Sequence, residues 1–112
     1  MVTIRRIDKQ ALAKSDNPIF IGDVFRQGLT EGLSKQLSVA VVSFPNGARN
    51  VFHTHAGDQV LIVTEGEGII ASETEEFQVT AGDVAIIPAG ERHWHGARPG
   101  KSMTHLSIAA TQ

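Results

Sequence analysis

The sequence predicts an all-β protein, a single antiparallel barrel or sandwich without a convincing helix. Three observations carry this. Short β-branched apolar runs recur at intervals of roughly eight to twelve residues. Turn-forming clusters of Pro, Gly, Asn and Asp separate them. No stretch sustains the period of about 3.6 residues that an amphipathic helix needs.

Residues 1–18 are polar and mixed, and read as an arm, either an edge strand or a loop crossing a partner, closed by the turn Asp16-Asn17-Pro18. Residues 19–29 are rich in Ile, Val and Phe, with Gly22 and Gly28 as punctuation, and residues 30–35 connect onward. The run LSVAVVSF at 37–44 is a strand, and Asn46-Gly47 after Pro45 is a strong hairpin signal. Residues 48–55 form the next strand, and QVLIVT at 59–64 the one after it, broken by Glu65-Gly66-Glu67-Gly68. Residues 69–72 and 76–80 then make a short hairpin around a solvated acidic tip at Glu73, Glu75 and Glu76. Short strands at 84–87 and 92–96 and a final strand at 102–110 complete about nine. The expectation is one domain over 1–112, with its barrel core at 37–110.

Composition narrows the function. The 112 residues are 41% hydrophobic, ordinary for a globular domain. A net charge of −2, with no basic run longer than Arg5-Arg6, points away from nucleic acid and anionic membranes. There are no cysteines, which removes disulfides and thiolate metal sites. No apolar run reaches a membrane span of about 20 residues, and residues 1–16 hold no signal-like apolar core. A cytoplasmic protein acting on a small molecule is expected, as a homodimer paired through the arm or an open sheet edge.

All five histidines lie between residues 53 and 105: His53, His55, His93, His95 and His105. Side chains two apart on a strand share a face. The two His-x-His pairs therefore each present two rings together, and neutral imidazoles so placed chelate a divalent metal. Gln59 follows four residues after His55. Periodicity does not say which way the strand 59–64 faces, because both of its faces are apolar. In the last strand Met103, His105, Ser107 and Ala109 share one face, a set that suits a pocket wall.

The spacings Gly47-x5-His53-x-His55-x3-Gln59-x6-Gly66 and Gly82-x5-Pro88-x-Gly90-x2-His93 resemble the two signature motifs of the cupin superfamily. The resemblance implies a small jelly-roll β-barrel around a metal held by His53, His55, Gln59 and His93. It departs from the usual pattern at Gln59, normally a glutamate, and at Ala97, normally an asparagine. An amide ligates through oxygen but brings no charge. With three neutral imidazoles it leaves the full charge of a divalent ion on the ligand set, which favours Lewis-acid chemistry.

Residues 38–109 further resemble the bacterial manganese-dependent cupin hydroxynitrile lyases, which cleave or form cyanohydrins. That resemblance implies His105 as general base, His95 stabilising departing cyanide, and a pocket lined by Ala40, Val42, Leu61, Val63 and Ala109. It implies one divalent transition metal per chain, manganese first, with Fe, Ni, Zn, Co and Cu also compatible with the donors. Alternatives are an Fe(II) cupin dioxygenase acting on a small enolate or diketone, a sugar-acid isomerase, and a non-catalytic binding or sensing module.

Overall fold

The computed structural model describes residues 1–111. Ten strands run in chain order: β1 (Ala13–Lys14), β2 (Phe20–Ile21), β3 (Phe25–Gly28), β4 (Leu37–Phe44), β5 (Arg49–Asn50), β6 (Gln59–Ser72), β7 (Glu76–Thr80), β8 (Val84–Ile87), β9 (His93–Ala97) and β10 (Met103–Ala110). All pairings are antiparallel. One sheet has the order β1-β3-β4-β10-β6-β8, and the other β2-β5-β9-β6-β7. The two share β6, which curls the whole into a barrel-like cup.

The Asn-Gly turn forms as the sequence predicts, but it does not close a hairpin: β4 pairs with β3 and β10 in one sheet, and β5 with β2 and β9 in the other. Asn46 (φ 52°) and Gly47 (φ 75°) both sit in the left-handed region, and the Ala48 amide donates to the Pro45 carbonyl at 3.0 Å. Positive φ at both central residues is the pattern Asn-Gly adopts readily, and here the turn carries the chain from one sheet to the other.

Two further features differ from expectation. The break at 65–68 is not a break: β6 is one strand of 14 residues. Its first part pairs with β8 and β10, its last part with β7 and β9. Gly66 (φ 80°) lets it bend, and a side chain there would collide with the Ser102 carbonyl. The strand 48–55 shrinks to β5. His53 is then tied to β9 by an isolated bridge in which its amide and that of His93 exchange bonds of 2.9 and 3.0 Å. The arm takes the edge-strand form expected of it: Asp8 caps a 3₁₀ turn over Lys9–Ala11, and β1 forms a sheet edge against β3.

The main core joins Val24, Ala40, Val42, Phe44, Ala48, Val63, Ala97 and Met103. Phe44 is fully buried and meets Phe20 edge-on at 6.0 Å. A second cluster holds Leu61, Ile70 and Ile87. On the far side of β9, buried Trp94 lies under the Arg49 guanidinium at 3.6 Å. No helix among the described residues is long and apolar enough to cross a membrane.

Candidate metal centre

His53 and His55 leave the segment after β5, and His93 opens β9. Their ligand-capable nitrogens lie within 4.8 Å of one another. His53 and His93 are aimed by the same local device. The Nδ1–H of His53 donates to the Val51 carbonyl at 2.7 Å, and that of His93 to the Glu91 carbonyl at 2.8 Å. With the proton fixed on Nδ1, Nε2 carries the lone pair, the form a metal needs. The Nε2 of His55 is buried without a hydrogen-bond partner. An orphaned lone pair beside two others fits a cation, because such an atom otherwise costs free energy.

Gln59, at the start of β6, completes the set. Its Nε2 donates to Ser107 Oγ at 3.0 Å, which leaves Oε1 3.2 Å from His93 Nε2. Burial lowers the pKa of both His55 and His93. For His55 the charge of His53 adds to this, and the nearby Gln59 side-chain oxygen opposes it. For His93 the bond to the Glu91 carbonyl opposes it, and the charges of His53 and His55 add to it. The rings are thus held neutral near pH 7. The donors fit a divalent transition metal, with His53, His55 and His93 as the group that could bind it.

A second pair lies beside this set. The His95 ring stacks on His93 with centroids 5.8 Å apart, and His105 Nε2 is 3.0 Å from His95 Nδ1. Both are buried. Burial lowers His95 well below its ordinary pKa, with the charge of His105 as the next cause. Burial also lowers His105 to about 4, against an opposing bond to its own backbone.

Their proton positions follow from Asn50, a residue sequence reasoning passed over. Asn50 is buried on β5 and accepts the His95 amide N–H on Oδ1 at 2.8 Å. That fixes its amide, so Nδ2 can only donate to His95 Nε2, 3.2 Å away. Neutral His95 must then hold its proton on Nδ1 and donate to His105 Nε2. The pair therefore sets one N–H, on His95, beside one lone pair, on His105.

All of these groups but His93 border a cavity of about 190 Å³, whose wall also includes Ser15, Asn17, Phe20 and Arg26. The N-terminal third thus supplies part of the cavity wall, which the motifs alone do not indicate. Of the pocket residues expected from sequence, Val42 lines this cavity. Ala40 and Val63 pack in the main core, Leu61 in the second cluster, and Ala109 is half-buried near the end of β10. A larger cavity of about 440 Å³ opens between β7 and β8, and its one histidine wall is His93.

Comparison with known proteins agrees with this geometry. The cupin domain family model matches residues 40–109. The chain is 40% identical over 107 residues to the (R)-mandelonitrile lyase of Granulicella tundricola, covering 94% of this chain and 82% of that one. It is 40% identical over 65 residues to an acireductone dioxygenase of Parasynechococcus marenigrum, covering 52% of this chain and 35% of that one. A cupin-like protein from Thermotoga maritima superposes with a TM-score of 0.81 at 35% identity, over 87% of this chain and 75% of that one. The jelly-roll barrel, the histidine cluster and the family match over 40–109 agree, and the chain belongs to the cupin family.

Proposed function

We propose that this cupin is a metal-dependent lyase that cleaves and forms cyanohydrins. The observation that carries the reading is the donor–acceptor pair His95–His105 set directly beside the four-donor group. Similarity along most of the chain to a protein named (R)-mandelonitrile lyase supports it.

A divalent metal bound by His53, His55, His93 and Gln59 supplies a Lewis acid that lowers the pKa of a substrate hydroxyl; manganese is the proposed ion. His105 Nε2 accepts the hydroxyl proton: its lone pair takes only the bond from His95 Nδ1–H, which substrate displaces, whereas the lone pair of His95 Nε2 is held by the Asn50 amide. The bond between the carbinol and nitrile carbons breaks, giving an aldehyde and cyanide. The Nδ1–H of His95 donates to the departing cyanide. Val42 and Phe20 offer apolar walls for the substituent.

The test is elemental analysis of protein purified without added metal, then assay with mandelonitrile. One transition-metal equivalent per chain and benzaldehyde release are expected. His105→Ala should lower turnover by about 10²–10⁴-fold at unchanged metal content, the usual contribution of a general base. Full turnover in that variant removes His105 from the mechanism.

A second reading rests on the partial match to the acireductone dioxygenase. Oxygen uptake by the iron-loaded protein with a β-diketone, and inertness to mandelonitrile, would select it.

A further inference from the structure

Gln59 departs from the glutamate usual at its position in cupins, and the consequence extends to its neighbour Ser107. Only the oxygen of an amide can ligate a cation, so the amide nitrogen must point the other way. There it donates to Ser107 Oγ at 3.0 Å. The amide oxygen lies 3.2 Å from His93 Nε2, whose ring holds its proton on the opposite nitrogen, against the Glu91 carbonyl. Two acceptors at that distance are held together by a cation, so this orientation of the amide is the metal-holding one.

Ser107 sits on β10, two residues after His105 and on the same face. Its cross-strand partners are Ala40 and Leu61, and it lines the same cavity as His95 and His105. A serine hydroxyl has one hydrogen to give and two lone pairs. A lone pair takes the Gln59 N–H, and among the described residues the hydroxyl hydrogen has no acceptor. A glutamate at position 59 would reverse this. Its second oxygen would take the hydroxyl hydrogen, and the cavity would lose a donor.

We propose that Ser107 donates its hydroxyl hydrogen to the substrate, and that Gln59 is the residue that frees it to do so. The ligand is a small neutral molecule with an acceptor oxygen, an aldehyde or its cyanohydrin. This rests on the proposed metal site and lyase reaction, and adds the group that holds the substrate oxygen. His105 takes the proton from that oxygen. Ser107, next along the same strand face, donates to it as negative charge develops there. His95 does not fill this place, because its one N–H serves the departing cyanide. The glutamine therefore changes the direction of a hydrogen bond as well as the charge of the ligand set.

Benzaldehyde without cyanide does not turn over, so its binding isolates the contact. Zinc-loaded protein, which is diamagnetic, is titrated with benzaldehyde and followed by NMR shifts, with zinc affinity measured by chelator competition. Ser107→Ala should weaken benzaldehyde binding about 3–10-fold, the net contribution of one hydrogen bond, and Ser107→Thr should restore it. In the Gln59→Glu background, where the hydroxyl is already engaged, the same Ser107→Ala step should change binding by less than about 2-fold. Circular dichroism checks folding, and Ser107→Gly repeats the step if the alanine variant misfolds. A wild type that does not bind zinc removes the metal site and the proposal with it. Zinc-loaded protein whose benzaldehyde affinity Ser107→Ala leaves unchanged overturns the proposal alone, as does an equal loss in both backgrounds. Loss of zinc from both Ser107 variants confines the residue to holding Gln59 and overturns the donor role. The expected pattern in a protein inert to mandelonitrile would sustain the contact and remove the lyase reading.

Discussion

The two faces of the β4-β10-β6-β8 sheet are built from the same strands in the same register, yet they differ in kind. The inner face interleaves Gln59, His105 and Ser107 with Val42, Leu61 and Val63. The outer face is aliphatic throughout its two central rows, which cross the strands from Val41 to Val84 and from Val39 to Ile86. Polar groups are thus buried where partners exist: Gln59 has Ser107, and His105 has His95. The outer face, with no such partners, holds only side chains that need none. A strand apolar on both faces is the pattern of a sheet covered on both sides.

The largest expected effect separates the faces by stability. Phe44→Ala, in the inner core, should destabilise the fold by about 3–5 kcal/mol. Ile86→Ala, on the outer face, should change the stability of the dilute monomer by no more than about 0.5 kcal/mol. Urea denaturation at low protein concentration checks both. Equal losses would mean that the outer face packs within the monomer.

A smaller effect sharpens the inner face. Asn50→Asp keeps the size of the side chain and the bond from the His95 amide, but replaces the donor to His95 Nε2 with an acceptor. The proton of His95 should move to Nε2, and the His105 lone pair should be lost from the pair. Turnover of mandelonitrile should fall about 10–100-fold at constant metal content. Nitrogen NMR of the two rings should report the exchanged tautomer. Unchanged ring signals would remove Asn50 from control of the pair.

The smallest effect is on pH dependence. His105 has its pKa lowered from 6.5 to about 4 in the folded chain. The unfolded chain therefore takes up a proton over that window that the folded chain refuses. Stability is full above about pH 6.5, falls as pH drops towards 4, and loses no more from this group below that. The lowered values of His55, His93 and His95 act in the same direction. The melting temperature of metal-free protein should drop by several degrees between pH 7 and 4, and by less in His105→Gln. A flat profile in the wild type would contradict burial of a neutral ring.

Much of the fold was legible in the sequence because its signals are local. Asn46-Gly47 dictates its own turn, and the His-x-His spacing puts two rings on one side even where the strand is irregular. What was not legible depends on distant backbone. The segment 65–68 reads as a turn, and only the approach of Ser102 shows why Gly66 bends a continuous strand instead. Asn50 is one polar residue in a short strand. Its role exists only because Arg49 pairs with Gly96, which brings the next residue beside His95. Phe20 and Arg26 reach the cavity wall from strands that no motif includes. The facing of β6 was undecidable by period for the reason the two-face comparison supplies: both sides are apolar.

The bonds from His53 to Val51 and from His93 to Glu91 span the same two residues on different segments. Each ring is locked by its own stretch of backbone rather than by the ion it would hold. The rotational freedom of those side chains is surrendered during folding, so little remains to be lost on metal capture. Freezing a free side chain costs about 0.5–1.5 kcal/mol, and two rings are spared it. His55, which has no such tether, is the ligand whose ordering the metal itself must supply.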